Sequence, residues 1–489
     1  MIRRLFADAL TRTPVMASGD ELVRLTATQA VALLRQREIT PLELIDVAAE
    51  RIAAIDGEVN ALPIRFFDAA RDTARRLPAS ASRGDSHPGW LAGLPVVAKD
   101  YNDIAGQLTT YGSPIFADAI AKTTDITVAT LEANGAIPIA KSNVPEFAGA
   151  HTFNSVFGVT RNPWNLGKSA GGSSGGSAAA LASGMVWLAM GSDLGGSLRI
   201  PASYCGIVGM RPSAGRVPRG VGLQPFDTLW VEGPMARTVA DVALMLDAQA
   251  VQSSHDPLSF PRPGTAFVDA VRNPRSPRRI AFSSDLGIAK VDPEVAEICR
   301  AAVLRFSTME MIVEEASPDF GGAVDAFQTL RALLLATVHG ELLKRERARI
   351  APDIVWNIEK GLHLSIDEIL AANRARTALY HRVANFFDRY DILACPTVSV
   401  PPFPVEQRFP TEIGNEKLTT YIDWMSFTFV ITLTACPAIS IPCGFTRSGL
   451  PVGLQLIGPS HGDFALLSAA HLLEQELQIV HQLPIEPRS

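Results

Sequence analysis

The sequence contains little cysteine, and this scarcity excludes two common ways of stabilising a fold. Only five cysteines occur among 489 residues, too few and too scattered for a disulfide framework. No two of them form the CxxC pair that is typical of a structural zinc site. They are Cys205, Cys299, Cys395, Cys436 and Cys443. We therefore predict reduced thiols in a cytoplasmic protein.

Long apolar runs are also absent. The longest apolar stretch, residues 178–190, is interrupted by Ser183 and Gly184 and is too short to span a bilayer. Residues 1–15 carry three arginines and no long apolar segment, so they do not fit a signal peptide. We predict no membrane segment, and we treat residues 1–15 as an N-terminal arm.

Neither positive nor negative charge dominates the chain. Lys and Arg total 44 and Asp and Glu total 50, which gives a net charge of −6. This balance argues against nucleic-acid binding, which normally requires a basic face. It suits a protein that handles small, uncharged molecules. Apolar residues make up 47% of the chain, which is enough for a large core and excludes a disordered protein.

The chain alternates short apolar strands with helices. Capping patterns at Thr26 and Thr40 predict two helices near the N-terminus. Residues 94–98 predict a strand that ends at Lys99, and Asp125 is expected to cap a later helix. This alternation predicts an α/β sheet covered on both faces.

No shift in composition marks a domain boundary. We therefore predict a single domain over residues 1–489. A long helical pattern over residues 365–387 leads into a strand at 392–394. Segments between about residues 310 and 430 are expected to fold over the active site as a cap.

An unusual stretch rich in glycine and serine occupies residues 169–201. Its two clusters, at 171–177 and 195–197, are separated by a helix-like and a strand-like segment. Glycines let backbone N–H groups point at a ligand atom, and the serines beside them supply hydroxyls. A flexible linker would not be bracketed by apolar segments in this way. The stretch is therefore predicted to form a site.

Three chemistries compete for this stretch. Phosphate binding fails, because a P-loop requires a glycine where Asn162 stands. An α/β-hydrolase elbow would use Ser174, but residues 162–171 are not expected to supply the strand that must precede it. A serine nucleophile with a lysine base is the third, because a buried lysine loses its charge and can accept a proton. Lys99 and Lys141 each follow a predicted strand, so the residues alone leave both as candidate bases.

The sequence resembles the amidase signature family of serine hydrolases, and the matching blocks run from about residue 24 to 458. The most specific block is GGSSGGSAA at 171–179. The others are GLPVVAKD at 93–100, TYGS at 110–113, KSNVPEF at 141–147, NPW at 162–164, GSDLGGSLRIPAS at 191–203, residues 206–212, CPAISIPCG at 436–444 and GLPVGLQLIG at 449–458. This resemblance implies the amidase signature fold, an α/β fold in which helices cover both faces of a large mixed β-sheet.

The resemblance also implies a Ser-Ser-Lys triad. Ser197 matches the nucleophile and Lys99 matches the base. Ser173 matches the bridging serine, which follows a cis peptide bond in the family. The implied oxyanion hole consists of the backbone N–H groups of Leu194, Gly195, Gly196 and Ser197. The implied supporting residues are Gly172, Ser192, Asp193 and Arg199.

The pocket and the reaction follow from the same resemblance. Phe147 matches a position that lines the acyl pocket in related enzymes. Ser113 and the segment 421–428, which includes Trp424, are further candidates for its border. Together they predict an apolar or aryl group on the substrate. The implied enzyme cleaves a small carboxylic amide to an acid and an amine or ammonia through a serine acyl-enzyme, with esterase or carbamate cleavage as side activities.

No metal, nucleotide or organic cofactor is expected, because the triad and the backbone donors suffice for acyl transfer. A homodimer is one assembly that the resemblance implies. The alternative function is the amidase subunit of a glutamine-dependent tRNA amidotransferase. That subunit shares the triad but works only together with partner proteins.

Overall fold

The structure is a computed structural model, and it describes residues 19–77, 87–147, 149–219, 224–414, 416–418 and 420–489. The predicted N-terminal arm at residues 1–15 lies outside the described residues.

Strands of the described chain form one large sheet and three small hairpins. They are β1 (Ile64–Arg65), β2 (Pro95–Lys99), β3 (Ile137–Ser142), β4 (Phe153–Asn154), β5 (Gly158–Val159), β6 (Arg161–Asn162), β7 (Asn165–Ser169), β8 (Leu188–Asp193), β9 (Val208–Arg211), β10 (Val231–Ala236), β11 (Arg279–Phe282), β12 (Ile312–Glu315), β13 (Ile392–Pro396), β14 (Glu412–Ile413), β15 (Glu416–Lys417), β16 (Ala438–Phe445) and β17 (Pro451–Ile457). The large sheet has 11 strands in the order β1-β3-β2-β8-β10-β9-β16-β17-β13-β11-β12. Parallel pairs join β2 to β3 and β8, and β11 to β12 and β13, whereas the other pairs are antiparallel. The sheet is therefore mixed.

Helices pack around this sheet. The α-helices are α1 (Gly19–Arg24), α2 (Ala27–Gln36), α3 (Pro41–Val59), α4 (Phe67–Arg76), α5 (Ile126–Ala133), α6 (Gly175–Ala182), α7 (Arg199–Cys205), α8 (Val239–Gln249), α9 (Asp269–Arg272), α10 (Pro293–Val303), α11 (Ala323–Glu346), α12 (Pro352–Leu362), α13 (Ile366–Phe387), α14 (Ser426–Leu433) and α15 (Asp463–Leu477). Short 3₁₀ helices occur at Pro114–Phe116, Leu304–Met309, Arg347–Arg349, Asp423–Met425 and Val480–Gln482. Within the described residues, no helix combines the length and the apolar character that crossing a membrane requires.

The two faces of the sheet are buried in different apolar clusters. Along β11, Ile280 and Phe282 belong to one cluster and Ala281 belongs to the other. Alternate residues of a strand point to opposite faces, so each face has its own core. The first cluster includes residues of α2, α3, α8 and α15, and the second includes residues of α11, α13 and α14. The prediction of helices on both faces is confirmed.

Local sequence signals determine several helix starts. Thr26 and Thr40 form the capping boxes that their sequence patterns predict. Asp125 also precedes a helix, as predicted, but its side chain does not cap that helix. Its Oδ2 accepts a hydrogen bond from the backbone N–H of Asp103 at 3.0 Å. The carboxylate therefore fixes a neighbouring loop, and its predicted capping role is wrong.

The region predicted as a cap, at about residues 310–430, serves two purposes. Its strands β12 and β13 belong to the central sheet and therefore are not part of a cap. Other parts of the region line a cavity beside the sheet. They are Phe327 and Arg331 of α11 and the segment before α14. The single domain stays a prediction, and it is supported by the fact that the sheet takes its strands from residues 64 to 457.

The contact between α11 and α12 yields a first prediction. A Cβ on Gly361 of α12 would lie 2.0 Å from the backbone oxygen of Ala332 in α11, so the helices would have to separate. We expect Gly361→Ala to lower the free energy of unfolding by about 1–3 kcal/mol, measured by urea denaturation. Gly340→Ala in α11 is the matched control, because its Cβ would meet only Leu362, at an ordinary 3.5 Å. Equal stabilities of the two variants would contradict this account.

Candidate active site

Lys99 lies where two parallel strands of the sheet reach their carboxyl-terminal ends. It is the last residue of β2, which is fully buried and runs parallel to β8. β8 ends at Ser192 and Asp193, so both strands deliver their last side chains to the same edge. Lys99 Nζ donates to Ser192 Oγ at 2.9 Å and to Ser173 Oγ at 2.7 Å. The sheet thus brings the predicted base next to the predicted bridging serine.

Burial makes the charged form of Lys99 unfavourable. The side chain is 0% exposed, and its Nζ lies 4.7 Å from the centre of the Tyr101 ring. Burial lowers the pKa of Lys99 to about 7, although the carboxylates of Glu232 and Asp193 oppose this shift. A lysine with this pKa has a large neutral fraction near pH 7, and the neutral amine can accept a proton.

Ser173 lies between Lys99 and the cavity. The peptide bond from Gly172 to Ser173 is cis, as the resemblance implies. Ser173 and the half-buried Ser197 line the same cavity. Within the described residues, no hydrogen bond joins these two hydroxyls, and such contacts often tighten only when substrate binds. The structure therefore places Ser173 against Lys99 and places both serines at one cavity.

The loop after β8 is held by the buried carboxylate of Asp193. Asp193 accepts hydrogen bonds from the backbone N–H groups of Gly196 at 2.9 Å and Leu198 at 3.2 Å. Arg199 donates to both carboxylate oxygens, and Arg211 donates to one of them. Burial would raise the pKa of Asp193, but the two arginines outweigh it and hold this pKa at about 2. The carboxylate is therefore ionised at neutral pH.

The same loop carries the predicted oxyanion donors. Gly196 has a φ of 124°, and a Cβ there would lie 2.3 Å from Thr428 Oγ1, so the position requires glycine. Its N–H is already donated to the carboxylate that holds the loop. In the described part of the chain, no acceptor lies against the N–H groups of Leu194, Gly195 and Ser197. Three of the four predicted donors therefore have no hydrogen-bond acceptor among the described residues.

A cavity opens beside the serines. Five aromatic side chains line it: Tyr101, Phe147, Trp230, Phe327 and Tyr421. Arg331 is the one charged side chain among its described lining residues, and none of them is a carboxylate. Elsewhere in the described chain, no three His, Cys, Asp or Glu side chains are grouped to hold a metal ion. The absence of a cofactor stays a prediction.

The three predicted pocket residues occupy different positions. Phe147 lines the cavity. Ser113 does not, because its hydroxyl donates to Glu146 at 2.6 Å in a buried contact. Trp424 is fully buried outside the lining and stacks on Tyr204. The structure therefore removes Ser113 and Trp424 from the pocket wall and leaves there Phe147 and Tyr421, the latter from the predicted segment 421–428.

Sequence reasoning missed most of that wall. Four of its residues belong to no catalytic motif: Tyr101, Trp230, Phe327 and Arg331. Tyr101 directly follows the block that contains Lys99. Phe327 and Arg331 are four residues apart, which places them on one face of α11. That spacing, within the region predicted as a cap, is the one sequence signal that points to them.

The rival nucleophile Ser174 is fully buried and lies outside the cavity lining. Its Oγ contacts only the backbone of Ser192, at 3.4 and 3.5 Å. Residues 162–171 do contain a strand, because β7 pairs with β6 in a polar hairpin that has no apolar strand pattern. β7 nevertheless lies outside the central sheet, so it does not build a nucleophile elbow.

The rival base Lys141 lies on the other face of the sheet. Lys99 pairs with Ser142 across β2 and β3, and adjacent residues of a strand point to opposite faces. Lys141 Nζ forms a buried ion pair with Asp100 at 2.8 Å and donates to the backbone oxygen of Leu108. Lys141 therefore lies in the core and makes its contacts away from the candidate serines.

A comparison with protein families decides the assignment. The family model described as Amidase matches residues 43–467 of the chain. The chain belongs to the amidase family. It is an amidase, an enzyme that acts on the carbon–nitrogen bond of linear amides, and its predicted membership of the amidase signature family is confirmed.

Individual relatives of this amidase cover nearly its whole length. An acylamidase of Rhodococcus erythropolis is 34% identical over 91% of this chain and 94% of its own. A glutamyl-tRNA(Gln) amidotransferase subunit of Moorella thermoacetica is 35% identical over 95% of this chain and 99% of its own. The crystal structure of a bacterial aryl acylamidase of the amidase signature family superposes with a TM-score of 0.86 at 28% identity, covering 94% of this chain and 99% of that one. The predicted amidase signature fold is confirmed.

The buried ion pair of Lys141 and Asp100 yields a second prediction. Lys141→Met leaves the Asp100 carboxylate buried without its partner, and we expect the free energy of unfolding to fall by about 3–5 kcal/mol. Urea denaturation at pH 7 measures this change. The double variant Lys141→Met/Asp100→Asn is the control, and it is expected to recover part of the loss because no buried charge is left unpaired. A single variant as stable as the parent enzyme would contradict the assignment.

Proposed function

We propose that this amidase cleaves a small amide with an apolar or aryl group to an acid and an amine or ammonia, through a serine acyl-enzyme. The observation that carries this proposal is the cavity beside Ser173 and Ser197, whose wall contains five aromatic rings. Aromatic side chains offer large apolar contact surfaces to a ligand. Ester and carbamate cleavage are expected side activities, because the same serine can accept the acyl group of an ester or a carbamate.

In the proposed mechanism, Ser197 is the nucleophile, Ser173 is the bridge and Lys99 is the base. Neutral Lys99 takes a proton from Ser173 while Ser173 takes one from Ser197. The Ser197 Oγ then bonds to the amide carbonyl carbon, and the carbonyl oxygen becomes an oxyanion. The contact of 2.7 Å between Lys99 Nζ and Ser173 Oγ and the lowered pKa of Lys99 support this relay.

The second half of the reaction reverses the proton path. Backbone N–H groups of Leu194, Gly195 and Ser197 are proposed to stabilise the oxyanion, an effect worth about 10²–10³ in rate per donor in other enzymes. The proton on Lys99 returns through Ser173 to the leaving nitrogen as the carbon–nitrogen bond breaks. Water then attacks the acyl-enzyme, gives its proton to the same relay, and releases the acid with Ser197 restored.

The amidase subunit of a glutamine-dependent tRNA amidotransferase is the second candidate, because such a subunit is 35% identical to this chain. The lack of an acidic side chain among the described lining residues favours the first candidate, whereas the cation Arg331 fits a carboxylate of either substrate. Free glutamine carries an ammonium group that requires an acidic partner, and no described lining residue supplies a carboxylate. Hydrolysis of an anilide by the purified chain alone would support the first candidate. Glutamine hydrolysis that requires added partner proteins would support the second.

Covalent labelling tests the proposed nucleophile. We expect a small fluorophosphonate to form an adduct at Ser197, located by peptide mass spectrometry, and we expect Lys99→Met to lose this labelling. Ser197→Ala should lower kcat by at least about 10⁴-fold. Ser174→Ala is the matched control and should keep both labelling and turnover, because Ser174 lies outside the cavity lining. An adduct on Ser174 would overturn the proposed triad.

The pH dependence of kcat/KM tests the proposed base. Lys99 must be neutral to accept a proton, so activity is expected to rise with pH as Lys99 deprotonates. The midpoint of this acid limb should lie near pH 7, because burial lowers the pKa of Lys99 to about 7. Rates are measured with an anilide at constant ionic strength, after each enzyme sample is shown to survive incubation at each pH. A limb that lies near the ordinary lysine pKa would rule out this role for Lys99.

A further inference from the structure

Arg331 brings a buried positive charge to the wall of the substrate cavity. It is 5% exposed and lies on α11, one turn after Phe327. Its guanidinium donates to the side-chain oxygen of Asn357 and to the hydroxyl of Tyr421, at 2.8 Å for the latter. Both partners are neutral.

No carboxylate balances this charge. Among the described residues, no Asp or Glu side chain lies within 4.0 Å of the guanidinium of Arg331. Asp353, one turn before Asn357 on α12, is engaged with Arg408 at 2.9 Å. The buried Arg199, in contrast, contacts both oxygens of a carboxylate. A buried charge without a counter-charge is unfavourable, so its presence at a binding cavity requires a reason.

The hydroxyl of Tyr421 supplies a second donor at the same place. Arginine can only donate, so Asn357 must present its oxygen to Arg331 and its amide N–H₂ to Tyr421. The Tyr421 oxygen thus accepts two hydrogen bonds, and its own O–H has no acceptor within the described residues. Tyr421 and Arg331 both line the cavity. Together they present one cation and one free O–H donor, the partners that a carboxylate prefers.

We propose that Arg331 and Tyr421 form an anion subsite, and that the preferred amide carries a carboxylate remote from its scissile bond. This inference rests on the proposed function and specifies its substrate class. Phe327 packs beside Gly195, where a Cβ would lie 3.2 Å from its ring, so Phe327 marks the end of the cavity where the bond is cleaved. Arg331 lies one helical turn further along, about 5.4 Å. The aromatic wall holds the apolar body between the two ends.

Matched substrate pairs test the subsite by turnover. The first pair is the p-toluidide and the 4-carboxyanilide of hexanoic acid, and the second is the anilide of hexanoic acid and the monoanilide of adipic acid. We expect one carboxylate member to have a kcat/KM about 10–100-fold above its neutral analogue, with the gain mainly in KM. Arg331→Met should abolish this preference, and Tyr421→Phe should reduce it. Arg331→Lys, which keeps the charge but loses the planar fork, should retain part of it.

A charge control separates the subsite from general electrostatics. Arg347→Gln removes a positive charge at the end of α11 from a surface ion pair with Glu359. It should leave the preference unchanged. Absence of a preference in both substrate pairs, or a preference that survives Arg331→Met, would overturn the subsite.

Binding to a variant without the nucleophile makes the test independent of turnover. We expect calorimetry with Ser197→Ala to show tighter binding of one carboxylate amide than of its neutral analogue, by about 10-fold or more. The double variant Ser197→Ala/Arg331→Met should bind both members equally. Equal binding in Ser197→Ala itself would overturn the subsite. Failure of the folded parent enzyme to cleave any of the amides would instead contradict the proposed function.

Discussion

The buried carboxylate of Asp193 is the constraint on which the geometry of the site depends. It joins the loop after β8 to Arg199 at the start of α7 and to Arg211 at the end of β9. Arg199 continues the network to Gln455 of β17 at 2.6 Å and to the backbone oxygen of Thr428 in α14 at 3.0 Å. An ionised carboxylate is tolerated in a core only when several partners compensate its lost hydration. Gln455 and Thr428 are far from Arg199 in sequence, so the network connects the loop to distant parts of the chain.

Two buried lysines show how environment decides chemistry. Lys99 and Lys141 are both 0% exposed and lie on adjacent strands. Lys141 has the carboxylate of Asp100 at 2.8 Å, which stabilises its charge. Among the described residues, Lys99 has only the hydroxyls of Ser173 and Ser192 within hydrogen-bonding distance, and hydroxyls stabilise an ammonium far less than a carboxylate does. The period of two along a strand separates these environments, because it sends neighbouring side chains to opposite faces of the sheet.

Features that depend on local sequence were predictable, and features that depend on distant contacts were not. The capping boxes at Thr26 and Thr40 involve residues three positions apart, and both form as predicted. Asp125 carries an equally good capping signal, but a loop more than 20 residues away takes its carboxylate. The proximity of Lys99 to Ser173 followed from the family resemblance and not from spacing. Nothing in the sequence brings Arg331 to Tyr421, since 90 residues separate them and two elements must pack before they meet.

Composition is a weak guide to the substrate for the same reason. A net charge of −6 and a low content of charged residues describe the surface, and they suggested a small, uncharged ligand. A ligand inside a cavity experiences instead the few groups that line it, in surroundings where the effective dielectric constant is far lower than in water. The proposed subsite therefore depends on one guanidinium among five aromatic rings and not on the net charge of the chain. One substrate can fit both the apolar wall and the single cation, because an amide can combine an aryl or alkyl body with a remote carboxylate.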